Sequence, residues 1–135
     1  MWLGICLSLL ASASTPEVFV PAERFTLAWM HSIERVRWEE DYRVELTAGS
    51  ATPVLRATQA RIRGSAAGME PPDDARLVEG WYVYTPAQTW LPELRLTRSP
   101  YAADYEVCVA DRCAPLHTWL PSDGGITRLR PCTRP

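Results

Sequence analysis

The sequence predicts an all-β protein, a single-domain antiparallel β-sandwich or small barrel. Three observations lead there. Short segments alternate apolar and polar side chains with a period of two, most clearly over 25–30 and 36–46. Pro and Gly recur between such segments, with 12 Pro and 7 Gly in 135 residues, which breaks any long helical register. No stretch carries the apolar stripe of a long amphipathic helix. The length suits one modest core, and no internal repeat or linker divides it.

In chain order, Met1 to Leu10 is nearly all apolar and uncharged, and Ala11-Ser12-Ala13 has the small-x-small form of a cleavage site. Residues 1–13 are therefore expected to be a signal peptide, leaving 14–135 as the β domain, although no basic segment precedes the apolar run. A buried N-terminal strand or a short membrane anchor is the competing reading. Cys6 has too short an apolar run before it for a lipoprotein signal. No second apolar run approaches the roughly 18–20 residues of a membrane helix. The expectation from this segment is export.

Residues 15–24 form a lead-in holding Pro16 and Pro21. Phe25, Leu27 and Trp29 then alternate with Thr26, Ala28 and Met30, as in a strand with one aromatic face. From Val36 to Leu46 the odd positions are all charged, whereas the even positions are apolar except Glu40, so a strand here would have one solvated face and one core face. After a turn over 49–53, residues 54–63 read as a strand with Leu55, Ala57 and Gln59 on one face and Thr58, Ala60 and Ile62 on the other. Trp81–Tyr84 is a short aromatic strand, and Leu94 and Leu96 mark another. Cys108 and Cys113 flank a four-residue turn, which places their thiols across a hairpin and favours a disulfide of an oxidising compartment over the competing metal pair, for which only His117 is close. Cys132 is left either free or competing for Cys113, and Ile126–Arg130 reads as a last edge strand.

Composition excludes several functions. The net charge is −2 and no basic run exists, which disfavours nucleic acid as a partner. All 14 basic residues are Arg, with no Lys or Asn, so there is no Schiff-base or P-loop lysine and no N-glycosylation site. Glu40, between Trp38 and Tyr42 on an apolar face, needs a partner: an Arg, backbone amides or a proton. His31 is a candidate, but pairing Trp29 with Trp38 sets Leu27 opposite Glu40 and His31 opposite Val36. His31, Ser32 and Glu34 hold the side chains of a hydrolytic triad without its geometry, because triads assemble from distant segments. His31, Glu34, Glu40 and Glu70 lack the spacing of a metal motif, and no cofactor or metal is expected. The Gly64–Pro72 loop sets Gly64 and Gly68 around small side chains, which lets backbone amides approach a ligand or partner closely.

The blocks Trp29-Met30-His31-Ser32-Ile33-Glu34, Trp38-x-Glu40, Gly64-Ser65-x-Ala67-Gly68-Met69-Glu70-Pro71-Pro72 and the Cys108/Cys113 pair resemble the bacterial domain of unknown function 1850, from about Phe25 to Leu116. The resemblance implies a small exported protein of the bacterial periplasm, of a kind often encoded beside TAXI-type TRAP transporters, which move organic acids. It implies marked positions at His31, Ser32, Glu34, Glu40, Gly64, Gly68, Met69 and Glu70, without roles. The expectation is thus a non-enzymatic accessory or binding module. Its partner would be a TRAP-type permease, the permease's solute receptor or a small organic acid. The alternatives are a small periplasmic hydrolase using Glu40 and His31, with acid–base or metal chemistry, and an envelope structural protein.

Overall fold

A computed structural model describes residues 1–30, 35–64 and 73–135. Its strands are β1 (Trp2–Leu9), β2 (Val18–Pro21), β3 (Arg24–Met30), β4 (Arg37–Leu46), β5 (Pro53–Arg63), β6 (Arg76–Val78), β7 (Trp81–Tyr84), β8 (Trp90–Leu91), β9 (Leu94–Thr97), β10 (Glu106–Val109), β11 (Arg112–Pro115) and β12 (Ile126–Arg134), with one 3-10 turn at Leu116–Thr118. They form two antiparallel sheets. The small sheet has the order β2-β1-β12-β9, and the large one β11-β10-β3-β4-β5-β7-β6, with β8 added against β5. The architecture is an all-β sandwich, and no barrel closes.

One core joins the sheets. Ile5, Leu7, Leu96 and Leu129 from the small sheet meet Phe25, Leu27, Tyr42, Val44, Leu55 and Val107 from the large one, and Leu116 and Leu120 plug the side of the sandwich. A bidentate ion pair closes the connection between β9 and β10. Arg98, only 2% exposed, donates twice to Asp104 at 3.0 Å and once to Thr127 Oγ1 at 3.1 Å. Asp104 also accepts the backbone N–H groups of Tyr105 and His117, so the buried charge is fully engaged.

β3 and β4 pair in the expected register, Trp29 opposite Trp38 and Leu27 opposite Glu40. Several other expectations change. The segment read as a leader is placed as strand β1, paired on one side with β12 and on the other with β2. Ile5, Cys6 and Leu7 are fully buried, because an uncharged apolar run serves the centre of a sheet as well as it serves a translocation signal. Cys132 is neither free nor a rival for Cys113: it is bonded to Cys6, 126 residues away, while Cys108 pairs with Cys113 as expected. The Cys6–Cys132 bond lies on the outer face of the small sheet, where Phe19 pairs with Cys6. The Phe19 ring also crosses Gly4, and a Cβ there would meet ring carbons at 2.6 and 2.7 Å.

β12 is not an edge strand. It runs on to Arg134 and lies between β1 and β9. In β5 the faces divide differently from strict alternation, because the register shifts beside Asp41 and Tyr42. Asp41 faces Gln59 and Tyr42 faces Ala57, so Thr58 is the extra residue of a bulge. Leu55, Ala57, Ala60 and Ile62 all reach the buried side as a result. The Cys108–Cys113 hairpin is also tighter than expected. Val109 pairs with Arg112, and Ala110 and Asp111 turn with φ of 52° and 65°, the left-handed pair of a two-residue turn.

Candidate functional site

Glu40 lies on the inner face of β4, in a row that crosses the large sheet: Val107, Leu27, Glu40, Ala60 and Tyr84 are successive cross-strand partners. One row nearer the end of the sheet stand Trp29, Trp38, Ile62 and Tyr82. Trp29 stacks on Trp38 at 5.9 Å between ring centroids and meets Tyr105 at 6.1 Å. One row nearer the core, Tyr42 stacks on Phe25 at 5.3 Å. Burial falls along this face. Tyr42 and Val44 are buried, whereas Trp29, Trp38, Glu40, Tyr84 and Tyr105 are half-buried. The strand pattern therefore sets a carboxylate among aromatic rings where the cover of the small sheet thins.

Among the described residues, neither an Arg nor a backbone amide partners Glu40. The Tyr42 hydroxyl, two residues along the same face, donates to Glu40 Oε1 at 2.7 Å. A carboxylate in half-apolar surroundings requires such a donor. The phenol stays a donor, because burial, then the charge and hydrogen bond of Glu40, push its ionisation well above the ordinary tyrosine range. Burial also raises Tyr84, with the Glu40 charge next. Tyr105 is raised by burial, then by Asp104 and Glu40. The field of one carboxylate thus reaches three phenols that were not singled out from the sequence. Tyr42 was legible in principle, since period-two spacing puts it on the face of Glu40. Tyr84 and Tyr105 depend on strand order, which no local pattern encodes.

Of the positions marked by motif, His31, Ser32, Glu34, Gly68, Met69 and Glu70 lie outside the described residues. Gly64 is described. It turns with φ of 81° at the end of β5, with open space where a Cβ would stand, and its N–H donates to the Gly80 carbonyl at 2.8 Å. The last β3–β4 pair is Met30 with Arg37, and the last β5–β7 pair is Arg63 with Trp81. The chain therefore leaves β3 and β5 toward both motif segments from the same end of the sheet, next to the Trp29–Trp38 row. Among the described residues no three His, Cys, Asp or Glu side chains group as metal ligands.

The outer face of β4 is not simply solvated. Arg37 donates to Glu39 at 2.7 Å and to Glu106 at 2.6 Å. Arg61 donates to Glu39 at 2.7 Å and to both oxygens of Asp41 at 2.8 and 3.2 Å. Thr26 Oγ1 donates to Asp41 at 2.7 Å. Burial would raise the Glu39 carboxyl, but the hydrogen bonds and charges of Arg37 and Arg61 outweigh it and hold the group below the usual carboxylate range.

A family described as Domain of unknown function (DUF1850) matches residues 25–116. The matched segment supplies the large sheet and β9, while β1, β2 and β12 lie outside it. No curated protein and no solved structure gave a match to the chain.

Proposed function

The chain belongs to the Domain of unknown function (DUF1850) family, and from that premise we propose that it is an exported, periplasmic, non-enzymatic binding module serving a TRAP-type solute transporter of the TAXI type. The observation that carries the location of its working surface is Glu40: a half-buried carboxylate among Trp29, Trp38, Tyr42, Tyr84 and Tyr105, at the end of the sheet from which both motif segments depart. Glu40 supplies the charge and the rings supply the contact area for the permease or its solute receptor. His31, Ser32, Glu34, Gly64, Gly68, Met69 and Glu70 complete the surface in this reading. Two disulfides are compatible with export to an oxidising compartment. In this proposal β1 stays in the exported protein, since a cut after Ala13 would discard Ile5, Leu7 and Cys6 from the fold.

The test is Glu40→Gln, which keeps an acceptor for the Tyr42 hydroxyl and removes only the charge. Purified variant and wild-type proteins are titrated against the detergent-solubilised permease and against its solute receptor. The variant should melt close to wild type and bind its partner at least about tenfold more weakly, a difference of about 1.4 kcal/mol. Equal binding, or no binding by wild type to either component, would refute the reading.

A further inference from the structure

We propose that the outer face of the large sheet is a second binding site, where Arg24, Arg43 and Arg56 hold a small multivalent oxyanion, a molecule carrying two or more carboxylate or phosphate groups. The argument begins with register. Arg24 is the cross-strand partner of Arg43, and Arg43 is the partner of Arg56. Direct partners project from the same face, so three guanidinium groups rise side by side from β3, β4 and β5, whose axes are about 4.8 Å apart. Like charges placed directly opposite one another destabilise a sheet.

The chain does little to neutralise this row. Glu45 stands 3.6 Å from Arg43 and 3.8 Å from Arg56, too far for a hydrogen bond to either. Arg24 forms no ion pair with another described residue. The contrast lies a few residues along the same strands, where Arg37 and Arg61 meet Glu39 and Asp41 at 2.7 to 2.8 Å. One face thus carries a band of satisfied pairs beside a band of cations with a charge deficit.

A concavity runs over both bands: Glu39, Asp41 and Arg61 line it, with their charges engaged in their own pairs, and so does the deficit band. Arg24, Arg43 and Arg56 border an open groove of roughly 800 Å³, within the size of small-molecule sites, with Thr26 and Thr58 also among its lining residues. Cys108, Cys113 and Asp111 of the β10–β11 hairpin line it as well, and the disulfide fixes that wall. The Arg56 guanidinium lies over the Trp90 ring at 5.7 Å, which restrains its orientation. Guanidinium forks suit carboxylate and phosphate oxygens. Three of them spread across two strand spacings, about 10 Å, fit a ligand with anionic groups at separate ends better than a monoanion. This face is opposite the one that carries Glu40, so the inference stands apart from the transporter reading.

The experiment uses the full chain at low ionic strength, with citrate and pyrophosphate as probes and sodium chloride of matched ionic strength as control. Thermal melting and titration calorimetry are run on wild type and on Arg43→Gln. At least one probe should raise the melting temperature beyond the salt control, and the stronger arm identifies the anionic group. Arg43→Gln should weaken that binding by at least about tenfold. Without anion the variant should melt no lower than wild type, because it removes the central repelling charge. The proposal is overturned if neither probe exceeds the salt control, or if Arg43→Gln binds as wild type does. A clear drop in the anion-free melting temperature of Arg43→Gln would also overturn it, by showing that the chain's own acids satisfy the row. Binding of a poly-glutamate peptide with no response to either small anion would give the face to a protein partner and overturn it too.

Discussion

Removing the Cys6–Cys132 bond should cost this fold a large part of its stability. The bond closes a loop with a sequence separation of 126 residues. Loop-closure entropy for that length gives about 5 kcal/mol, and loss of a native disulfide typically costs about 2–5 kcal/mol. Unfolding entropy of about 2.1 cal/mol/K per residue over this chain converts that range into a drop of roughly 7–18 °C in melting temperature. The double variant Cys6→Ala/Cys132→Ala isolates this effect, since Ala keeps the strand pairing. Deletion of residues 1–13 goes further. It removes Ile5 and Leu7, both fully buried, at about 1.5–3 kcal/mol each, and strips β12 of its pairing from Thr127 to Arg134. Together these losses rival the whole stability of a typical domain, about 5–15 kcal/mol. Thermal melts and urea unfolding of wild type, the double alanine variant and the 14–135 fragment form the assay, with intact mass confirming the disulfides. A 14–135 fragment that unfolds cooperatively at the wild-type temperature would refute the reasoning and restore Met1–Ala13 as a disposable leader.

Three further outcomes follow from other parts of the sandwich. Asp104→Ala should destabilise by about 3–5 kcal/mol in urea unfolding, because it strands the Arg98 guanidinium, whose side chain is 1% exposed, without its carboxylate; Arg98→Met/Asp104→Leu should recover part of that loss. Gly4→Ala should cost about 1–3 kcal/mol by forcing apart the Val20 backbone carbonyl and the Phe19 ring of β2, read as a lower urea midpoint. Stability should fall as pH drops below about 4.5: the folded carboxyls of Glu39 and Glu17 are held low, so the unfolded chain binds protons first, and Glu39→Gln should flatten that acid limb.

Much of the large sheet was legible because its strands are half-buried. Alternation over Phe25–Met30 and Val36–Leu46 marked strand and face, and two tryptophans at equal distance from the turn marked the register. The small sheet was not legible, because β1 is uniformly apolar and so carries no period. Reading that run as a leader also removed Cys6 from consideration, which left Cys132 without a partner and made β12 look like an edge. The Thr58 bulge escaped for a different reason: it inserts one residue into a strand whose local composition gives no warning. At the site, Glu40 stood out by its chemistry, an acid on an apolar face. The row of Arg24, Arg43 and Arg56 did not, since three arginines far apart in sequence become neighbours only once three strands are aligned.

The pairing of β1 with β12 bears on the order in which the protein can fold as well as on how it holds together. β1 is made before every other strand of the sandwich, yet the strand that pairs along its length, and the cysteine that locks it, are made after all the others. The four-stranded sheet is therefore unable to close before β12 has been made. Closure of the sandwich waits for Ile126–Arg134, and until then the apolar face of β1 is open to any partner that binds extended segments.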